Sequence, residues 1–275
     1  IVAYNSIRGA TTGVLLESVN TVSQVLNNVI SANGTGLSIA SGFTGGVIAD
    51  NDIQAATLGV DYSAPATLSA NRIHGNGTGV RVAASQTATG LGWVGSGQPN
   101  QIFANTVGVD LLGRMRGQVV RDNTTGVSGA GILGPDNYDG PNLILDNLTG
   151  VDFSGIVQFN QISDNSTGIR AKSNSQITHN VVTSNSLAGL VANNVTDVQV
   201  ANNTFYAETG DKTGSTASLT PQQQQTNYAQ IILQVSDKYD TPALSPLIQK
   251  VLSGGIPGAY FEVRQLQLNP VDYPI

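Results

Sequence analysis

The side chains best suited to chemistry lie in two short stretches on either side of a pair of arginines. The first stretch, Gly-Leu-Gly-Trp-Val-Gly-Ser-Gly at 90–97, contains the chain's single Trp, Trp93. The arginines are Arg114 and Arg116, and the second stretch contains Asp136, Tyr138 and Asp139. Flat aromatic surfaces beside carboxylates and guanidiniums are typical of sugar-binding sites. The predicted ligand-binding residues are therefore Trp93, Arg114, Arg116, Asp136 and Tyr138. The alternative is two ordinary surface loops, one of them anchored by a buried Trp.

Composition excludes several classes of partner and site. The chain has no Cys, so it can form neither disulfides nor thiolate metal sites. Its net charge of −6 argues against nucleic acid as a partner. No apolar run approaches the roughly 18 residues of a membrane-spanning helix. Gly is frequent at 32 residues while only 11% of residues are charged, so the chain either lacks regular structure or needs a left-handed or tight turn at regular intervals.

An internal repeat must position the candidate residues. Asn recurs at intervals of about 22 residues, with an aliphatic residue two places later, a frequent second Asn at +5, and Gly followed by an aliphatic residue at +8. The repeat positions are Asn5, Asn28, Asn51, Asn71, Asn100, Gln118, Asn142, Asn160, Asn180 and Asn203. Each period is too short to bury its own apolar face, so successive coils must stack. The Ile, Val and Leu positions alternate as in short strands, and stacked Asn amides would bond to one another. We expect each +8 Gly to supply a positive φ or a close approach at a corner.

These columns resemble the right-handed parallel β-helix repeat of the pectate-lyase-like superfamily, and of modules in bacterial surface proteins and phage tailspikes. The resemblance implies an all-β solenoid of about ten coils over residues 1–206. Residues 207–275 are predicted to be a linker, two helices and an extended tail that cap the open end of the solenoid. A partner-binding tail is the alternative. Residue 1 falls inside the repeat, so we expect flanking domains of a larger protein.

Stacking fixes several distances, because parallel strands lie about 4.8 Å apart. The two histidines, His74 and His179, are five coils apart, on the order of 24 Å, so a paired-histidine metal site is not expected.

The enlarged coils that carry Trp93 and Asp136 leave the rod at the same corner, two coils apart. Arg114 and Arg116 lie between them and should point outward.

A separate outward column contains the alternating charges Asp61, Arg81 and Asp110. We interpret it as a solvated strand face with cross-strand pairs. An acid–base groove is the alternative.

The resemblance also bears on catalysis. Polygalacturonase-like members carry Asn-Thr-Asp, Asp-Asp and Gly-His-Gly motifs that are absent here, and only Gly168-Ile169-Arg170-Ala171-Lys172 resembles their Arg-x-Lys. A lyase would need an Arg or Lys base and usually Ca²⁺ held by carboxylates. If the chain is an enzyme, the candidate catalytic residues are Arg114, Arg116, Asp136, Asp139 and Lys172.

The sequence therefore favours a structural or adhesive β-helix module, extracellular or on the cell surface, that binds polysaccharide and carries no cofactor. Two alternatives remain open. One is a polysaccharide lyase or hydrolase with a divergent site, for which Ca²⁺ would be the cofactor. The other is a phage tailspike segment, which would be a trimer.

Overall fold

A computed structural model describes residues 1–17, 22–43, 45–88, 90–93, 97–137 and 140–206. All of its strand pairings are parallel, and each strand pairs with the equivalent strand one coil away. The predicted all-β parallel β-helix is confirmed. The predicted cap at 207–275 lies outside the described residues. In the part of the chain that is described, no helix is long and apolar enough to cross a membrane.

Three walls run along the rod. Sheet I has ten strands and sheet II nine, whereas the third wall is divided into sheet IIIa, with four strands, and sheet IIIb, with five. Sheet I comprises β2 (Ser6–Arg8), β5 (Val29–Ser31), β8 (Asp52–Gln54), β11 (Arg72–His74), β13 (Gln101–Phe103), β16 (Val119–Arg121), β19 (Leu143–Leu145), β22 (Gln161–Ser163), β25 (Val181–Thr183) and β28 (Thr204–Tyr206). Sheet II comprises β3 (Thr12–Leu16), β6 (Thr35–Ile39), β9 (Leu58–Tyr62), β12 (Thr78–Val82), β14 (Val107–Leu111), β17 (Thr125–Gly129), β20 (Thr149–Phe153), β23 (Thr167–Ala171) and β26 (Ala188–Val191). Sheet IIIa comprises β1 (Val2–Ala3), β4 (Gln24–Leu26), β7 (Val47–Ala49) and β10 (Thr67–Ser69), and sheet IIIb comprises β15 (Arg114–Met115), β18 (Ile132–Leu133), β21 (Ile156–Gln158), β24 (Gln176–Thr178) and β27 (Gln199–Ala201).

The core follows the repeat columns. The aliphatic residue at +2 of each coil points inward, and Ile30, Ile53 and Ile73 stack in register with no solvent exposure. Burial of one such side chain contributes about 1.5–3 kcal/mol. Because the pairing keeps equivalent positions in register, every coil adds one layer to a single apolar column.

Two asparagine ladders line the corners, as the columns predict: the first is formed by the repeat positions and the second by the Asn residues at +5. In the first ladder the Asn51 side-chain amide donates to Asn71 Oδ1 at 2.9 Å, to its own coil at Ala49 O (3.0 Å) and to the previous coil at Val25 O (2.9 Å). The Asn51 backbone N–H also donates to Asn71 Oδ1, at 3.0 Å. Buried polar groups must be hydrogen-bonded, and each ladder Asn meets that requirement through its neighbours.

The glycines at +8 are required for close approach and not for their φ. They lie inside the strands of sheet II, and none is among the residues of positive φ. A Cβ placed on Gly108 would come within 2.5 Å of Gly126 O in the next coil. Of the two roles that we expected for these glycines, the close approach is the one that the structure confirms. Most of the left-handed residues other than Gly instead directly precede a ladder position, as at Tyr4 (φ 59°) and Ala70 (φ 56°).

A buried tyrosine closes one turn after sheet II. Tyr62 is fully buried, its hydroxyl donates to Ala66 O at 3.0 Å, and it accepts from the Ala66 N–H at 3.2 Å. Burial raises the pKa of the Tyr62 hydroxyl above its ordinary value, and the bond to Ala66 offsets part of that rise.

Candidate ligand-binding face

Two arginines are presented outward by the first strand of sheet IIIb. Arg114 and Arg116 flank Met115, which is fully buried, so the alternation of a strand places both guanidiniums on the outer side. This placement agrees with the outward direction predicted from the repeat.

The Trp-bearing segment attaches to the same strand. Leu91 is fully buried and forms a parallel bridge with Met115; its N–H donates to Arg114 O at 2.9 Å, and the Arg116 N–H donates to Leu91 O at 3.0 Å. Gly92 has φ +91° and lies so close to this strand that a Cβ on it would come within 2.2 Å of Arg116 O. The Gly-Leu-Gly sequence therefore allows the segment to pair with the wall through the single bridge at Leu91, and Gly92 and Trp93 follow directly.

The indole of Trp93 contacts both guanidiniums. The Cζ atoms of Arg114 and Arg116 lie 4.4 and 4.6 Å from the centroid of the Trp93 ring. Cation–π contacts of this kind contribute about 0.5–2 kcal/mol, depending on how far they are desolvated. The half-buried indole is thus in cation–π contact with two guanidiniums. We call Trp93, Arg114, Arg116 and Asp136 the indole–guanidinium face.

The two arginines of this face differ in their partners. Arg114 forms an ion pair with Asp136, and its side chain is only 14% exposed. The Nε of Arg114 is buried without a hydrogen-bond partner among the described residues. Arg116 donates from Nε to Gly92 O at 3.1 Å, and within the described ranges it forms no ion pair with a carboxylate. The charge of Arg114 is therefore compensated locally, whereas no carboxylate in the described part of the chain compensates the charge of Arg116.

The structure brings together four of the predicted site residues, which are the members of the indole–guanidinium face. The other three predicted residues are not part of this face as described. Tyr138 and Asp139 lie outside the described residues. Lys172 directly follows β23 of sheet II, a different wall from Arg114, and pairs with Asp152 at 3.0 Å. A catalytic set that joins Lys172 to the arginines has no support in the described contacts.

The charged column on sheet II forms one of the expected cross-strand pairs. Arg81 lies in register between Asp61 and Asp110 and pairs with Asp110 at 3.2 Å. Both partners are partly exposed, so the pair contributes only a few tenths of a kcal/mol. Asp152, farther along the column, has one buried oxygen, Oδ1, without a partner in the described part of the chain.

Sequence reasoning missed a second stacked cluster, on sheet I. The ring of His74 stacks on Phe103 with centroids 4.7 Å apart, and His74 Nε2 lies 2.9 Å from Asp52 Oδ1. The guanidinium of Arg121 covers the Phe103 ring at 4.6 Å. His74, Phe103 and Arg121 share one outward column of successive coils, so aligning the coils residue by residue would have found them.

Donors for a transition metal are few and scattered. His179 stacks on Phe159, five coils from His74, and the chain's single Met is the buried Met115. In the residues that the structure describes, no group of three or more His, Cys, Asp or Glu side chains is placed to hold a metal ion.

Comparison with known proteins identifies a family. Residues 59–231 match the family model described as periplasmic copper-binding protein (NosD). No curated protein and no solved structure matches the chain. Because the matched range covers more than half of the chain, and because the parallel β-helix agrees with this family, the chain belongs to the NosD family.

Proposed function

We propose that the chain is an exported, non-catalytic β-helix module that binds acidic polysaccharide through the indole–guanidinium face. The observation that carries the proposal is the Trp93 indole, held 4.4 and 4.6 Å from two guanidinium carbons. An indole and two guanidiniums that already contact one another form a preorganised surface, so little side-chain entropy is lost on binding. The periplasmic location in the family description supports a place outside the cytoplasm, periplasmic or extracellular.

Arg116 favours a glycan that carries carboxylates. Its Nε bond to Gly92 O and its stacking on Trp93 fix the plane of the guanidinium. The planar fork of such a group matches a carboxylate in a bidentate arrangement. Arg114 is already paired with Asp136, so Arg116 is the group that would donate hydrogen bonds to the carboxylate of a uronate unit.

The copper named in the family description is not part of this proposal. Copper sites in proteins use imidazole, thiolate and thioether ligands. The chain has no Cys, its one Met is buried in the core, and its two imidazoles are on the order of 24 Å apart along the rod. Residues 207–275 add no His, Cys or Met. This donor set does not fit a copper site within one chain.

Tryptophan fluorescence tests the proposal directly, because Trp93 is the only Trp. Titration with a soluble polyuronate is expected to change the Trp93 emission saturably, and a neutral glucan is expected to leave it unchanged. Arg116→Gln should weaken binding at least about tenfold, as expected for losing a charge-assisted bidentate contact. Arg81→Gln removes the same charge from sheet II and serves as the matched control. An unchanged emission with every polyuronate would refute the proposal.

The same protein and polyuronate samples distinguish the proposed binding module from a polysaccharide lyase and from a tailspike segment. A lyase would generate unsaturated sugar ends that absorb in the ultraviolet, and addition of Ca²⁺ would raise the signal. A tailspike segment would sediment as a trimer. The proposed module binds without releasing such products.

A further inference from the structure

One tetrapeptide occurs twice at equivalent corners of the rod. Asn-Gly-Thr-Gly is found at 33–36 and at 76–79, and in each case the Thr begins a strand of sheet II. An Asn followed by Gly is prone to intramolecular attack by the Gly amide nitrogen, since Gly has no side chain to obstruct the approach. The local sequences are identical, so a difference in reactivity between the two sites must come from the fold.

At the second copy the fold engages both reacting groups. Asn76 is 4% exposed, and its side-chain amide donates to Asn105 Oδ1 at 3.0 Å and to Ile53 O at 3.3 Å. Its Oδ1 accepts the Ala56 N–H at 3.0 Å. The attacking group, the Gly77 N–H, donates to Ala56 O at 3.0 Å. Reaction at Asn76 therefore requires the coil to open first.

At the first copy the same groups are almost unengaged. Asn33 is exposed, and its side-chain amide makes only one long bond, to Gly9 O at 3.4 Å. Position 56, where the next ladder Asn would stand, is Ala, so the second ladder does not continue to Asn33. The Gly34 N–H has no acceptor among the described residues.

We propose that Asn33-Gly34 is a site of spontaneous covalent modification and that the ladder protects Asn76-Gly77 from the same reaction. The Gly34 nitrogen loses its proton and bonds to Asn33 Cγ, the Cγ–Nδ2 bond breaks, and ammonia leaves with a proton. Water then opens the cyclic imide at either carbonyl, which yields aspartate or isoaspartate. No oxidant or reductant is involved.

The product would weaken the contact between the first two coils. The new carboxylate loses the donor that reached Gly9 O and places negative charge beside that carbonyl. Isoaspartate also inserts an extra main-chain carbon where space is short, since a Cβ on Gly34 would lie 2.6 Å from Thr11 O. We therefore expect faster hydrogen exchange in β3 after conversion.

The test is peptide mapping by mass spectrometry after incubation of the folded chain at mildly alkaline pH. Conversion is expected to be at least about tenfold faster at Asn33 than at Asn76, because local opening must precede reaction at Asn76. In urea the two sites should convert at equal rates, which serves as the internal control. Asn33→Gln should suppress conversion at the first site and keep exchange in β3 constant over the incubation.

Two results would overturn the proposal. One is equal conversion at Asn33 and Asn76 in the folded chain. The other is an unmodified Asn33 in the folded chain alongside conversion of the same residue in urea.

Discussion

At the residue scale, the burial of Tyr62 makes the free energy of unfolding depend on pH in the alkaline range. Its pKa is raised in the folded state by burial, so the unfolded chain ionises first, near the usual pKa of about 10. The contribution of the neutral hydroxyl is therefore fully present below that pH and is lost as the pH rises toward the folded-state pKa. Tyr62→Phe leaves the N–H and C=O of Ala66 without their partner, at a cost of about 1–3 kcal/mol near neutral pH.

The measurement is urea unfolding of the wild type and of Tyr62→Phe at a series of alkaline pH values. The gap in unfolding free energy between wild type and Tyr62→Phe should narrow above about pH 10, because only the wild type has this hydroxyl to ionise. A gap that stays constant through this range would contradict the burial argument.

At the element scale, the asparagine ladder predicts an asymmetric response to substitution. Asn123→Ala removes a buried amide that donates to Asn147 Oδ1 and accepts from the Asn105 N–H, so it should cost about 2–3 kcal/mol. Asn33→Ala, at an exposed corner, should stay within about 0.5 kcal/mol. Chemical denaturation measures both, and equal losses would argue against the ladder as a stabilising element.

The gap in the second ladder predicts a stabilising substitution. Ala56 is 6% exposed, and its N–H already donates to Asn76 Oδ1 at 3.0 Å. Ala56→Asn would place a carboxamide between Asn33 and Asn76 and is expected to add about 1 kcal/mol. Thermal unfolding would show a higher midpoint, and a lower midpoint would mean that the corner has no room for the side chain.

The ladders and the inward columns were predictable because they repeat the same residue type on most coils. The left-handed residues before the ladder positions were not, since Tyr4, Ala70 and Phe159 share no chemistry and adopt positive φ because the corner requires it. The meeting of Trp93 with the arginines followed from the coil register. The ion pair of Arg114 with Asp136 could not be predicted from the register, because the conformation of the loop decides which carboxylate reaches which guanidinium.

At the scale of the whole molecule, the rod separates the two imidazoles and predicts weak copper affinity for the single chain. His74 lies 2.9 Å from an Asp52 oxygen, and His179 stacks on Phe159. Calorimetric titration of the chain with Cu²⁺, compared with the His74→Ala/His179→Ala double variant, should give the same weak binding. A tight one-to-one site lost in the double variant would show that the donors come together in a way the rod does not allow.

The bonds between coils run along the axis of the rod, and this direction governs how the molecule would respond to mechanical load. A force that pulls the two ends apart acts on the coils in series, so they would peel away one after another. Each released coil of about 22 residues could extend to roughly 75 Å, against the ~4.8 Å it occupies when stacked. Under tension such a rod would lengthen in steps, one coil at a time, and the unfolding of each coil would absorb mechanical work.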